Sequence, residues 1–546
     1  MMSFGQGCHA SFTLPLSDEA EHVFDPMITV EDGRGGKVEI KNPKPDRLQW
    51  KTLVGSPKER RFVRLGGVAG DIEISPFNND LNTLQRAVCE RVFFVKAAGG
   101  GFTHPPRPDE GVFAERLLET RQQLVGKLPR TAPVSHGQFV SSYEGRKRKV
   151  YQRALDELRA GRSKVEEDAR IKAFVKFEKT DCTTKEDPVP RVISPRDPKY
   201  NVRVGRYLKP LEKRLFKSLD KLFGEPTVVK GYNVKRTAEI LRSKWERYSD
   251  PVAVGLDASR FDQHVSEQAL EWEHSIYLEC FPQKKHKERL SRLLKHQLYN
   301  ISKSYLPDGE LSYAVKGTRM SGDMNTSMGN TLLMCAMNYA YLKHKGVDAG
   351  FVNNGDDCVV IMERRDLARY MDGLREWFLA MGFNMTVEES VDEFEQIEFC
   401  QTKPVFDGSE YIMVRNIKTA LTKDSVMLSP WQGPALFRGW LDAVGTGGLS
   451  MTGGIPVFQS FYRCYQRSGL KRRIPKELLP WSFRHASLGM FRSYGPVLAV
   501  TRASFYLAFG ITPDEQINLE RYYDQLTIGW APGDEVAHHP LLRCDL

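Results

Sequence analysis

The hydrophobic pattern is sharpest in PVAVGLDASRFD, where Val252, Val254 and Leu256 alternate with Ala253, Gly255 and Asp257. That is the two-residue period of a strand with two unlike faces. The branched side chains face a core, while the other face is kept small and ends in a carboxylate. An aspartate there is well placed to hold a cation, and equally well placed to form an ordinary turn. Further on, GFVNNGDDCVVIME sets Phe351 and Val352 before Gly355-Asp356-Asp357, with Cys358, Val359, Val360 and Ile361 after them. This predicts a tight β-hairpin with Gly355 supplying the turn and two carboxylates at its tip. Adjacent carboxylates repel each other unless they are solvated or bridged by a cation.

Between these segments lies GTRMSGDMNTSMGNTLLMCAMNYAYL. A Ser321-Gly322 turn leads into a helix rich in Leu, Met and Ala, with Thr326 and Asn330 four apart on one face. Small polar groups at such a place present hydroxyl and amide to a ribose, or simply cap the helix. Elsewhere the pattern is coarser. Gly99, Gly100 and Gly101 followed by Pro105, Pro106 and Pro108 predict a linker or crossing segment. Phe113 to about Leu158 is mostly helical and carries the basic run Arg146 to Lys149. Ala169 to Pro190 alternates strand-like pieces with turns, and Tyr207 to Phe223 is helical. After about Asp424 the chain turns helical and aromatic-rich, with a second basic cluster at Lys471, Arg472 and Arg473. No internal repeat is visible, and no apolar run approaches the length of a membrane span. Membrane association is therefore expected to come through a partner or a surface.

Composition narrows the chemistry. The 546 residues are 41% apolar and 27% charged, as in ordinary globular proteins, and the net charge of +10 favours polyanionic partners without specifying any. Nine dispersed cysteines with no C-x-x-C pair argue against a disulfide framework or a structural zinc. Oxygen donors remain. Asp257 and Asp356 would bring hard ligands from adjacent strands to a pair of Mg²⁺ or Mn²⁺ ions, with Asp357 either joining them or shaping the turn. Such ions activate a 3′-hydroxyl and neutralise a triphosphate. No Walker A sequence is present, which argues against an NTP-driven helicase.

The order DASRFD (257–262), SGDMNTSMGN (321–330) and GDD (355–357) resembles motifs A, B and C of viral RNA-dependent RNA polymerases. KFEKTDCTTKEDPVPRVISP (176–195) resembles their basic fingers motif, and EFEQIEFCQTKPV (393–405) their motif E hairpin. With KGYN (230–233), the wording is similar to polymerases of the tombusvirus family, carmoviruses and umbraviruses among them. The resemblance implies an α+β right hand of fingers, palm and thumb, the palm an antiparallel sheet backed by helices. An N-terminal module would span 1–98, fingers 99–250, palm 251–413 with a fingers insertion at about 280–315, and thumb with a C-terminal helical region 414–546.

It further implies that Asp257 and Asp356 are the main metal ligands with Asp357 beside them. Asp262, Ser321 and Asn330 would sense the ribose 2′-hydroxyl, supported by Thr326. Arg191 would lie over the base or α-phosphate, with Lys176 and Lys179 on the phosphates. The implied partners are single-stranded RNA template, nascent RNA and rNTPs, not DNA. A viral accessory protein would attach the enzyme to host membranes in a cytoplasmic replication complex. One departure stands out: GFNMTVEES (382–390) has no clear lysine where many relatives carry a motif D general acid. A reverse transcriptase would place an aromatic gate where Ala258 to Asp262 reads ASRFD. A non-catalytic RNA-binding protein would give no reason for three ordered motifs.

Overall fold

In a computed structural model, described over residues 47–68, 72–96, 101–184, 187–429, 433–474 and 486–529, and by backbone alone for Met2–Gln6, Met27–Glu31 and Lys37–Lys41, the acidic strand lies inside a four-stranded sheet. The strand order is Ala349–Asn354, Asp357–Glu363, Pro251–Ala258, Met385–Val387, every neighbour antiparallel. Val254 stands opposite Val360 and Leu256 opposite Cys358. Along one face Val252, Val254, Leu256, Val360 and Met362 join a core with the helices Pro198–Phe223, Glu267–Glu279 and Thr326–Lys345. The last of these is buried on every side from Met328 to Leu342, as expected of a helix apolar all round.

The opposite face is less open than the small residues suggest. Ala253, Val352, Val359 and Ile361 pack in a second core with the helix Val234–Trp245 and the C-terminal helices Pro434–Thr452 and Phe458–Ser468. Exposure begins only at the end that carries Gly255 and Asp257. The sheet's outer edge is covered as well. Thr227–Val229 runs parallel to Ala349–Asn354, with Asn353 N donating to Thr227 O (2.9 Å) and Val229 N to Asn353 O (3.0 Å).

The stretch ahead of the glycine cluster is woven into distant parts of the chain. Arg47–Thr52 extends the hairpin Tyr299–Leu306/Gly309–Lys316, and their inner side chains form a third core with Phe77, Leu81, Phe93 and Val175. Arg61–Leu65 pairs with Val426–Met427. Gly99 and Gly100 lie outside the described residues, and Pro105, Pro106 and Pro108 follow in chain without regular secondary structure. The helical run from Phe113 is divided into Val112–Arg116, Leu118–Val125, His136–Ser141 and Gly145–Arg159, with Pro129 and Pro133 in the longest of the three breaks. The next helix starts earlier than its apolar period shows, at Pro198, where Asp197 caps Lys199 N (2.9 Å). No helix among the described residues is long and apolar enough to cross a membrane.

Candidate active site

The two acidic segments meet at the open end of the sheet. Asn354 pairs with Asp357, leaving Gly355 and Asp356 as a two-residue loop, and Gly355 has φ +92°. A glycine with positive φ at the first loop position is the signature of a type II′ hairpin. Asn353 locks the loop by donating to Gly355 O (2.7 Å) and accepting from Gly355 N (2.9 Å). Asp356 projects at the exposed tip. One step beyond the Leu256–Cys358 pair, the register sets Asp257 opposite Asp357. Burial raises the Asp257 carboxyl and Asp356 raises it further; Asp357 is pushed up to about 6 by burial, then by Asp356 and Asp257. Carboxylates crowded so closely that Asp257 and Asp357 resist ionisation form an electrostatic setting that favours added cations.

A fourth carboxylate, not anticipated from the sequence, explains the small face. Glu388 N donates to Gly255 O (3.0 Å), and its side chain crosses Gly255 so closely that a Cβ there would overlap the carboxylate. Burial raises its pKa, followed by Glu398 and Asp257.

Beside the aspartates lies a buried polar chain. Asn330 donates to Asp262 Oδ1 (2.8 Å) and accepts from Arg319 Nε (3.1 Å). A guanidinium only donates, so Arg319 fixes which way the Asn330 amide points. Arg319 is paired in turn with Glu273, which also accepts from Tyr277 Oη (2.8 Å) and Asn325 Nδ2 (2.8 Å). Burial raises the Asp262 carboxyl against the opposing pull of Asn330 and Arg319. Ser321 does not join this chain: its carbonyl accepts from Ser194 N (2.9 Å), and its hydroxyl bonds neither Asp262 nor Asn330. Thr326 braces the preceding loop, its hydroxyl donating to Met320 O (3.0 Å) and Asp323 O (3.1 Å). Arg319 and Glu273 carried no local signal beyond the basic residue two places before Ser321.

The expected cations separate. Lys176 and Arg191 sit together at the end of the pair Phe174–Val175/Val192–Ile193, both bound to Glu178 (2.7 and 3.3 Å), and Arg191 is near enough to act on Asp262. Lys179 points elsewhere. Its ammonium donates to Lys423 O, and burial lowers its pKa to about 8 despite Asp424 nearby. The bond to Lys423 O holds Lys179 away from the Lys176–Arg191 pair.

A family model described as viral RNA dependent RNA polymerase matches residues 48–531. The chain belongs to that family. It is 53% identical over 504 residues to the RNA-directed RNA polymerase of Oat chlorotic stunt virus, covering 89% of this chain and 67% of that protein. The RNA-directed RNA polymerase of Tobacco necrosis virus (strain A) is 47% identical over 473 residues, covering 86% and 64%. That of Turnip crinkle virus is 40% identical over 506 residues, covering 91% and 64%. The chain thus spans about two thirds of the length of these relatives. Within this polymerase family chain, the stretch that resembles motif E, 393–405, leads into the first strand of the hairpin Thr402–Phe406/Tyr411–Arg415. The turn ahead of it puts Cys400 at φ +54° and Gln401 at φ +59°, and Asn354 Nδ2 donates to Cys400 Sγ (3.1 Å), fastening the acidic hairpin to it.

Proposed function

We propose that the chain is the catalytic part of an RNA-directed RNA polymerase that copies a positive-strand viral genome from rNTPs. The observation that carries this reading is the convergence of Asp257, Asp356 and Asp357 at one sheet end, beside the Asp262–Asn330 pair. In this reading the four-stranded sheet is the palm, 99–250 contributes fingers, and the helices after about 414 form the thumb.

The donor set fits Mg²⁺ or Mn²⁺, since the aspartates offer hard oxygens whose mutual repulsion two dications relieve. Among the described residues no three acidic, histidine or cysteine groups close around a single point. That suits Mg²⁺ sites, which take one or two carboxylates and complete their shell with substrate phosphates and water. When bound, the ions acidify the attacking 3′-hydroxyl and neutralise the triphosphate. Asp262 and Asn330 hold the incoming ribose through its 2′-hydroxyl, which selects ribonucleotides. Thr326 steadies the Ser321 turn beside them. Arg191 and Lys176 exchange Glu178 for the triphosphate, for which a planar, permanently charged guanidinium is suited. Lys179 has a structural part in this scheme. Membrane attachment comes through a viral accessory protein in the host cytoplasm.

The test is incorporation of labelled nucleotide on single-stranded RNA with Mg²⁺ or Mn²⁺, comparing wild type with Asp356→Asn. Wild type makes RNA and uses dNTPs poorly; the variant makes none yet binds RNA as before. Equal loss of binding would indicate misfolding, and template binding without synthesis by either protein, even with primers and partners added, would sink the reading.

A further inference from the structure

The chemistry above gives no part to KGYN, yet its lysine touches the acidic hairpin. Main-chain bonds fix its place. After Thr227–Val229 pairs with Asn353, Tyr232 N donates to Val229 O (3.0 Å) and Gly231 takes φ +88°, a type II turn with Lys230 at its second position. The Lys230 ammonium then lies 3.1 Å from Asn354 Oδ1 and 3.1 Å from where a Cβ on Gly355 would stand. Gly355, having no side chain, lets the ammonium reach the loop. Asn354 is held from its other side by Cys400. Lys230 is thus seated by a neutral amide and makes no contact ion pair among the described residues, acting on Glu212 and Asp357 only at longer range. That is unusual beside a cluster of aspartates and fits a cation waiting for an anion.

The sheet order says which anion. Across the site stand Thr227–Val229, Ala349–Asn354, Asp357–Glu363 and Pro251–Ala258, with Asp262 following the last strand. Lys230 and Asp262 therefore flank the acidic tip from opposite sides. In two-ion nucleotidyl transfer, the attacking strand end and the incoming nucleotide meet across the ions. With the incoming ribose at Asp262 and Asn330, the strand end lies on the side of Lys230. We infer that Lys230 binds a phosphate of the RNA strand carrying the attacking 3′-hydroxyl and so positions that end at Asp356. The inference rests on the polymerase reading above. The phosphate is either the last phosphodiester of a growing strand or the triphosphate of an initiating nucleotide. A compact ammonium on a flexible stem serves both.

The test compares the full chain with Lys230→Ala and Lys230→Arg in single-nucleotide incorporation on a primed RNA duplex. Duplex affinity is measured separately, without turnover, at several salt concentrations. Lys230→Ala raises KM for the strand end roughly tenfold, the worth of one charged hydrogen bond, while KM for the incoming nucleotide stays put. The salt dependence of duplex binding falls by about one phosphate contact, and Lys230→Arg recovers most of the loss. A second arm starts synthesis without primer, from GTP or from guanosine. A defect with the primer identifies the phosphodiester; a defect with GTP but not guanosine identifies the initiating triphosphate. Unchanged KM in every arm overturns the inference. So does a raised KM for the incoming nucleotide with strand binding intact, or a drop in thermal stability that Lys230→Arg does not repair. Failure of the polymerase reading shows differently, as absence of incorporation by wild type.

Discussion

At the scale of single residues, the candidate site depends on one amide whose orientation is set from behind. Asn330 offers its NH₂ to Asp262 because Arg319 occupies its oxygen, and Arg319 is held by a Glu273 that has no exposed surface. Asn330→Asp keeps the oxygen that meets Arg319 and replaces the donor facing Asp262 by a second carboxylate. The pair that would read the 2′-hydroxyl is then broken while the fold is kept. The ratio of kcat/KM for rNTP over dNTP should fall by roughly tenfold, one hydrogen bond's worth, in steady-state incorporation with matched nucleotides. An unchanged ratio with reduced overall rate would assign Asn330 to loop support alone. Asp257, Asp356 and Asn330 lie in short segments whose pattern marks them as candidates, whereas Asp262 was singled out by the resemblance alone. Glu273 was not legible: in EQALEWEHSIYLE it reads as the polar face of a helix, and its partner lies 46 residues away. Glu388 and Lys230 were hidden for the same reason, since what gives them meaning is Gly255 and Gly355 on other strands.

At the scale of elements, the hairpin, the acidic strand and the helix Thr326–Lys345 follow from local period and turn residues. The edges of helices were less legible, because proline breaks and caps act within a residue or two while apolar periods blur over a turn. The helix Glu267–Glu279 carries a consequence that its sequence does not display. His274, buried beside Glu273, hydrogen-bonds Gln297 (3.2 Å), and Gln297 pairs with Asn325 at the start of the helix Thr326–Lys345 (3.0 Å). Burial lowers the His274 pKa from 6.5 to about 4, with Arg319 pushing the same way and Glu273, Gln297 and Asp323 opposing. The unfolded chain takes up a proton near pH 6.5 that the folded chain refuses until about 4. Its contribution to stability is therefore complete above 6.5 and declines as pH falls through that window. Between pH 7 and pH 5 wild type should lose about 2 kcal/mol more than His274→Gln, read from urea unfolding at the two pH values. Equal losses would mean that the imidazole is charged in the folded chain or reached by water.

At the scale of the whole molecule, elements far apart in sequence are tied around the sheet by buried polar knots that no local pattern could reveal. Asp424 is such a knot. It pairs with Arg415 and accepts from Tyr462 Oη (2.8 Å), its carbonyl accepts from Tyr465 Oη (3.2 Å), and Lys179 approaches from the stretch that resembles the fingers motif. Burial pushes its carboxyl up, but Arg415, Lys179 and Tyr462 together hold it low. The adjoining Val426–Met427 strand pairs with Arg61–Leu65, and Tyr523 Oη donates to Val68 O (2.9 Å), so the residues before the glycine cluster close onto the C-terminal helices. Removing one member of a buried ion pair leaves the other charge uncompensated, whereas replacing both by apolar groups does not. Asp424→Asn should therefore cost about 3–5 kcal/mol in urea unfolding, and the double variant Arg415→Met/Asp424→Leu much less. Because Lys179 depends on the same carboxylate, which both variants remove, the 174–193 stretch should loosen in each, seen as faster amide exchange there than in wild type. If Asp424→Asn instead left stability unchanged, water would have to reach the knot, and the coupling between the two halves would rest on the apolar core alone.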